Sequence, residues 1–117
     1  MLSRDFLEKK RELVRALRSS AALSVELEKK IEEVYGSRGR RAVEAIKGQR
    51  VFKRGNRWFV RGRSGEYEVV KTMCTCRDYV MNIAPGKAGV DMCYHALAKT
   101  VCELLGTHYV DEPVKRS

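Results

Sequence analysis

Cys74 and Cys76, and then, after sixteen residues, Cys93 and His95, are the side chains of this chain best suited to chemistry. Each close-spaced pair can grip one edge of a tetrahedron, and the segment between them closes the site. Three thiolates and one imidazole form a standard ligand set for a structural zinc ion. A disulfide between Cys74 and Cys76 would close a very tight, strained ring. Four cysteines allow three disulfide connectivities, but nothing else suggests a secreted scaffold. The opening Met1–Phe6 has no apolar signal core. These features fit a reducing compartment, and a cytoplasmic chain is expected, nuclear in a eukaryote or nucleoid-associated in a prokaryote.

The same residues admit a catalytic reading, with Cys93 as nucleophile and His95 as base. A dyad needs mutual reach and usually a third orienting group. Two positions apart on one helical turn, the side chains can both face one metal but not easily each other, so no enzyme is expected. Cys102 lies among Val101, Leu104 and Leu105 and reads as a small buried hydrophobe. His108 reads as a surface or packed histidine. A closed four-ligand set leaves no position for water, so the zinc is expected to be structural and its binding energy to be folding energy.

The elements that must position these ligands follow from periodicity. At 117 residues the chain is one domain with a modest core, and a metal staple suits that size. No apolar run is long enough to span a membrane. Helical spacing predicts a helix over 3–18 capped by Ser3, with Phe6, Leu13 and Leu17 on one face. A second helix over 24–35 is capped by Ser24 and ended by Gly36, and a shorter third, capped by Ser37, runs to Lys47. The apolar stripe of the first two helices is expected to cover a sheet, with a homodimer contact or a protein partner as alternatives. The period then becomes strand-like. Strands 50–54 and 57–61 flank Gly55-Asn56, a two-residue hairpin signal, and a third strand spans 66–71. A short helix is expected over 77–83, a loop over 82–89, and a last helix capped by Asp91 and stopped by Gly106. The fold class is therefore α+β: N-terminal helices (1–47), a small antiparallel sheet with a zinc-bound helix in a ββα arrangement (48–108), and a flexible tail (109–117).

Charge is concentrated. The net charge is +9, and the stretch Arg38–Arg63 holds ten basic residues against Glu44, so the rest of the chain is neutral. Such a block is the electrostatic footprint of a polyanionic partner. With Gly55-Asn56 as the loop, Arg54 opposes Arg57, Phe52 opposes Phe59 and Arg50 opposes Arg61. Alternation then puts four arginines and two phenylalanines on one face. Val51, Val60, Trp58 and Lys53 take the other, core-facing side. Like charges directly opposite cost stability unless an anion relieves them, and phosphates would do so. Phe52 and Phe59 could stack on unpaired bases. The expected nucleic-acid-binding set is therefore Arg50, Phe52, Lys53, Arg54, Arg57, Phe59, Arg61 and Arg63. A one-residue slip in register would scatter it. An adaptor that binds an acidic protein is the alternative.

From about Ala42 to Gly106 the chain resembles the SWIM-type zinc finger. The resemblance rests on the helix–glycine–strand lead-in, the strand Glu66–Val70, the pair Cys74-Thr75-Cys76 and the run from Cys93 to Ala98. It departs from the family at Tyr94, where members carry a basic residue between the last cysteine and the histidine. The short standalone members are most similar, because no ATPase or kinase domain is attached. They resemble the SWIM subunit of the Shu complex. The resemblance implies an accessory role in homologous recombination and DNA repair, with nucleic acid, single-stranded DNA included, and a RecA-family recombinase paralogue as partners.

Overall fold

A computed structural model describes residues 2–113. Helix α1 (Arg4–Arg18) begins where expected, with Phe6 N–H donating to Ser3 Oγ at 3.0 Å. Helix α2 (Val25–Tyr35) is capped in the same way by Ser24, whose Oγ accepts from Leu27 N–H. Gly36 ends α2 at φ 63° and leads straight into α3 (Ser37–Lys47). Ser37 is therefore the first residue of α3 and not its cap, and no side chain caps that end. An added Cβ on Gly39 would lie 2.5 Å from the Ile31 carbonyl oxygen, so only glycine lets α3 rest on the backbone of α2.

Strands β1 (Val51–Arg54), β2 (Arg57–Gly62) and β3 (Gly65–Val69) follow the expected hairpins. Arg54 pairs with Arg57, Phe52 with Phe59 and Val51 with Val60, the register that the Gly55-Asn56 turn implies. The sheet is not purely antiparallel, however. Val110–Glu112 forms a fourth strand, β4, parallel to β1, and the strand order is β3-β2-β1-β4. The part of the expected tail that holds β4 is thus ordered against β1; residues 114–117 lie outside the described range.

Helix α4 (Tyr94–Leu105) is the hub. It packs on α3, on α1 and on the core face of the sheet. Ala96, Leu97, Ala98, Val101 and Cys102 are fully buried, together with Val51 and Val60 from the sheet. The N-terminal helices do not cover the sheet, as the apolar stripe implied. Their buried faces meet each other and helices α3 and α4, which already occupy the sheet's inner side. The reason is geometric: α4 is apolar around most of its circumference, so it needs covering on two sides.

Asp91 holds this second layer in place instead of capping α4. Tyr35 Oη donates to Asp91 Oδ1 at 2.8 Å, and Lys10 pairs with the other carboxylate oxygen. One carboxylate thereby ties α1 and α2 to the segment that precedes α4. Burial, then the Asp91 charge, pushes the Tyr35 phenol far above its ordinary value, so it stays a donor. Among the described residues no helix is long and apolar enough to cross a membrane.

Candidate metal centre

Two turns and one helix start carry the four expected ligands. After β3, Val70 and Met73 exchange backbone hydrogen bonds around a tight turn in which Lys71 has φ 58°. That turn delivers Cys74. The chain then enters a π-helical turn, Tyr79–Ile83, and Tyr79 N–H donates to Cys76 Sγ at 3.4 Å. Cys93 is the true cap of α4, its Sγ accepting from Ala96 N–H at 3.4 Å. Backbone N–H groups at a helix start favour thiolate over thiol, so two of the three sulfurs sit where negative charge is stabilised.

The four donor atoms of Cys74, Cys76, Cys93 and His95 lie within 4.8 Å of one another, and all four residues are buried. His95 Nδ1 is 3.9 Å from Cys74 Sγ. Its ring lies between Tyr67 and Tyr94, at centroid distances of 4.7 and 3.9 Å. On another side of the ring an added Cβ on Gly62 would fall 2.7 Å from Nε2, so β2 can approach the imidazole this closely only as glycine. Nε2 itself is buried with no hydrogen-bond partner.

The donors fit one metal ion. Three thiols packed this tightly without a cation cannot all ionise. Hydrogen bonds from Cys74 and then Cys93 pull Cys76 far below the ordinary thiol range. Its contacts with Cys74 and Cys76, then burial, push Cys93 far above that range, and its hydrogen bond to Cys76 is the largest influence raising Cys74. A divalent ion at the centre would remove this conflict, because each sulfur would face positive charge. Cys102 stands apart from the cluster. It is fully buried, its Sγ donates to the His108 carbonyl, and burial pushes its thiol up to about 12. His108 is exposed and accepts from Leu23 N–H.

Sequence reasoning missed two residues that hold the ligand turns. Lys99 is only 5% exposed, and its Nζ donates to the Lys71 carbonyl at 3.1 Å and to Glu103 at 3.0 Å, pinning the turn before Cys74 to α4. Arg38 of α3 forms a two-pronged ion pair with Asp78, both bonds at 2.8 Å, and Asn82 also donates to that carboxylate. The Glu four positions after Lys99 was a visible signal; nothing local linked Arg38 to Asp78. Arg38, then burial and Asn82, set the Asp78 carboxyl, with the net result that it lies below its ordinary value. A depressed carboxyl adds stability above its unfolded value, about pH 4, and that stability is lost as pH falls. Asp78→Asn is expected to cost about 1 kcal/mol at neutral pH, the low end for a charge-assisted pair because both side chains are partly solvated. Urea midpoints of the two proteins should differ at pH 7 and still at pH 4, and converge only as pH drops below that; a constant gap would remove the ion pair as its cause.

The outer face of the hairpin carries the arginine–phenylalanine cluster, but its charges are matched internally. Arg54 bonds to Glu66 and Glu112, Arg57 to Glu68, and Arg61 lies 3.7 Å from Glu66. The anions expected to relieve the opposed arginines are therefore glutamates of β3 and β4. The phenylalanines are covered as well. Phe52 is 7% exposed beneath the Arg61 guanidinium at 4.6 Å, and the Arg54 and Arg57 guanidinium groups lie over Phe59. Stacking on bases there would first need those arginines to move. Lys53 extends over the Trp58 and Tyr109 rings, at 5.4 and 5.9 Å. Arg38, Arg40 and Lys47 also have carboxylate partners. Among the described residues Arg41, Arg50 and Arg63 do not, and they meet at an open cleft of 570 Å³ beside the metal centre.

No family model matches the chain, and no solved structure matches it. An uncharacterized protein of Archaeoglobus fulgidus is 33% identical to it over 108 residues, which cover 87% of this chain and 89% of the archaeal one. This chain belongs to that protein's family. The match spans nearly the full length of both, so the family's shared unit is the whole domain and not the metal segment alone.

Proposed function

We propose that this chain is a non-enzymatic, zinc-dependent accessory protein that binds nucleic acid. Zinc is favoured by the donor set: three sulfurs and one imidazole are soft to borderline ligands, which suit it better than calcium or magnesium. The ligands are buried on all sides, which supports a structural rather than a catalytic ion. The observation that carries the nucleic-acid reading is the group of arginines without carboxylate partners at the cleft. A phosphate can pair with these without displacing an internal anion.

The resemblance to SWIM-type fingers supplies the setting: DNA recombination or repair, beside a RecA-family recombinase paralogue. A second reading is an adaptor for another protein. It is favoured by Val70, Met73, Val80 and Met81, four large apolar side chains that are each at least half exposed on the segments flanking Cys74 and Cys76.

Anisotropy titration of the zinc-loaded protein with a labelled oligonucleotide separates the two readings. Contacts to four phosphates of a single strand give a logarithmic salt slope of roughly −3. Between 50 and 200 mM salt the affinity should then fall about fiftyfold. Absence of oligonucleotide binding at the lower salt, with a protein co-purifying from the native host, would favour the adaptor.

A further inference from the structure

The cleft beside the metal centre is bounded by α3, the start of β1, the β2–β3 turn and the π-helical turn. Five arginines line it, Arg38, Arg41, Arg50, Arg63 and Arg77, against two carboxylates, Glu44 and Asp78. Arg38 and Asp78 neutralise each other. Among the described residues the other four arginines have no ion-pair partner, so positive charge is left over in a concave place, where low-dielectric walls focus it. Tyr67, Tyr94 and His95 also line the cleft, and His95 Nε2 is a buried polar atom still without a partner.

We propose that this cleft is a phosphate-binding site that takes the backbone of a single nucleic-acid strand. The proposal rests on the nucleic-acid reading above and moves its centre from the hairpin face to the cleft. On the hairpin an incoming phosphate must displace Glu66, Glu68 or Glu112, whereas in the cleft it displaces none of them. Arg41 and Arg77, outside the sequence-based set, join Arg50 and Arg63, which were in it. A single strand suits the site better than a duplex because tyrosine rings share the cleft with the guanidinium groups, the combination that single-strand sites use.

Two charge-matched double variants decide between the faces. Arg41→Gln with Arg63→Gln removes two of the four unpaired arginines of the cleft; Arg57→Gln with Arg61→Gln removes two of the three ion-paired arginines of the hairpin. All four residues are exposed, so each variant should keep the melting temperature and zinc content of the parent. With a labelled twenty-nucleotide oligo-dT, the cleft pair should bind about tenfold more weakly than the parent and lower the logarithmic salt slope by roughly 0.7 for each lost contact. The hairpin pair should change affinity by less than threefold. Equal losses in both variants, or a cleft pair that binds like the parent, would overturn the cleft assignment. Tighter binding of duplex than of oligo-dT would overturn the single-strand assignment. A further arm uses inorganic tripolyphosphate, monitored by NMR of the arginine side chains. If it shifts Arg41 and Arg63 while the parent binds no oligonucleotide, the anion site stands and the nucleic-acid reading falls. If neither probe binds, both fall.

Discussion

Replacing Cys93 by serine is expected to unfold most of the domain instead of loosening one corner. Serine can keep the capping bond to Ala96 N–H, so what the substitution removes is the metal ligand. Zinc binding by small structural sites is worth about 10–16 kcal/mol at neutral pH. Single domains are stable by only about 5–15 kcal/mol in total. Cys93 also starts α4, which packs on the sheet, α3 and α1, so the loss propagates into every layer. Native mass spectrometry should find one zinc per parent chain and none in the variant, and the variant's circular dichroism should lack a cooperative melt. A metal-free Cys93→Ser protein that melts cooperatively near the parent temperature would end the structural-zinc reading. The pH dependence has a definite sign. Without a cation the Cys93 and Cys74 thiols hold their protons more tightly than usual, so metal must expel them. Loading therefore strengthens as pH rises, and acid empties the site.

Trp58→Ala is the second large effect, about 3–5 kcal/mol of destabilisation. Trp58 lies on the core face of β2, 7% exposed, and meets Tyr109 edge-on with ring centroids 4.9 Å apart. Truncation opens a cavity beneath Lys53 and removes the ring against which the chain docks before β4. Denaturant midpoints should drop without loss of zinc, and hydrogen exchange should quicken first in Val110–Glu112. If exchange there stays at the parent rate while the rest of the domain is destabilised, β4 is held by its ladder bonds alone.

The two signals that read well from the residues were local. The ligand set needs only spacing, and the hairpin register needs only a two-residue turn and counting outward from it. What was hidden depends on partners distant in sequence. Val110–Glu112 contains two acidic residues of low strand preference and becomes a strand because β1 offers an open edge. The arginine block is neutral on its hairpin face because Glu66, Glu68 and Glu112 lie beyond it in the chain. Counting charge along the sequence therefore overstates charge on that surface. Continued past the Gly62–Gly65 turn, the same counting that set the hairpin opposes Arg61 to Glu66, so part of this neutralisation was available. Asp91 has the right residue type for a cap, but α4 starts two residues later than expected, capped by Cys93, and the carboxylate instead accepts from the Tyr35 phenol.

The parallel strand β4 bears on self-association. Without it, β1 would present a row of unpaired N–H and C=O groups flanked by Val51 and Phe52, a template on which another copy could add a strand. The opposite margin of the sheet, β3, is short and carries Glu66 and Glu68 in ion pairs with the β1 and β2 arginines, a polar edge that an added strand would have to desolvate. The molecule therefore guards its two sheet margins by different means, one with ion-paired side chains and one with its own C-terminal segment. Because β4 follows α4 in the chain, a chain shortened before Val110 would keep Cys74, Cys76, Cys93 and His95 while leaving one margin open to its neighbours.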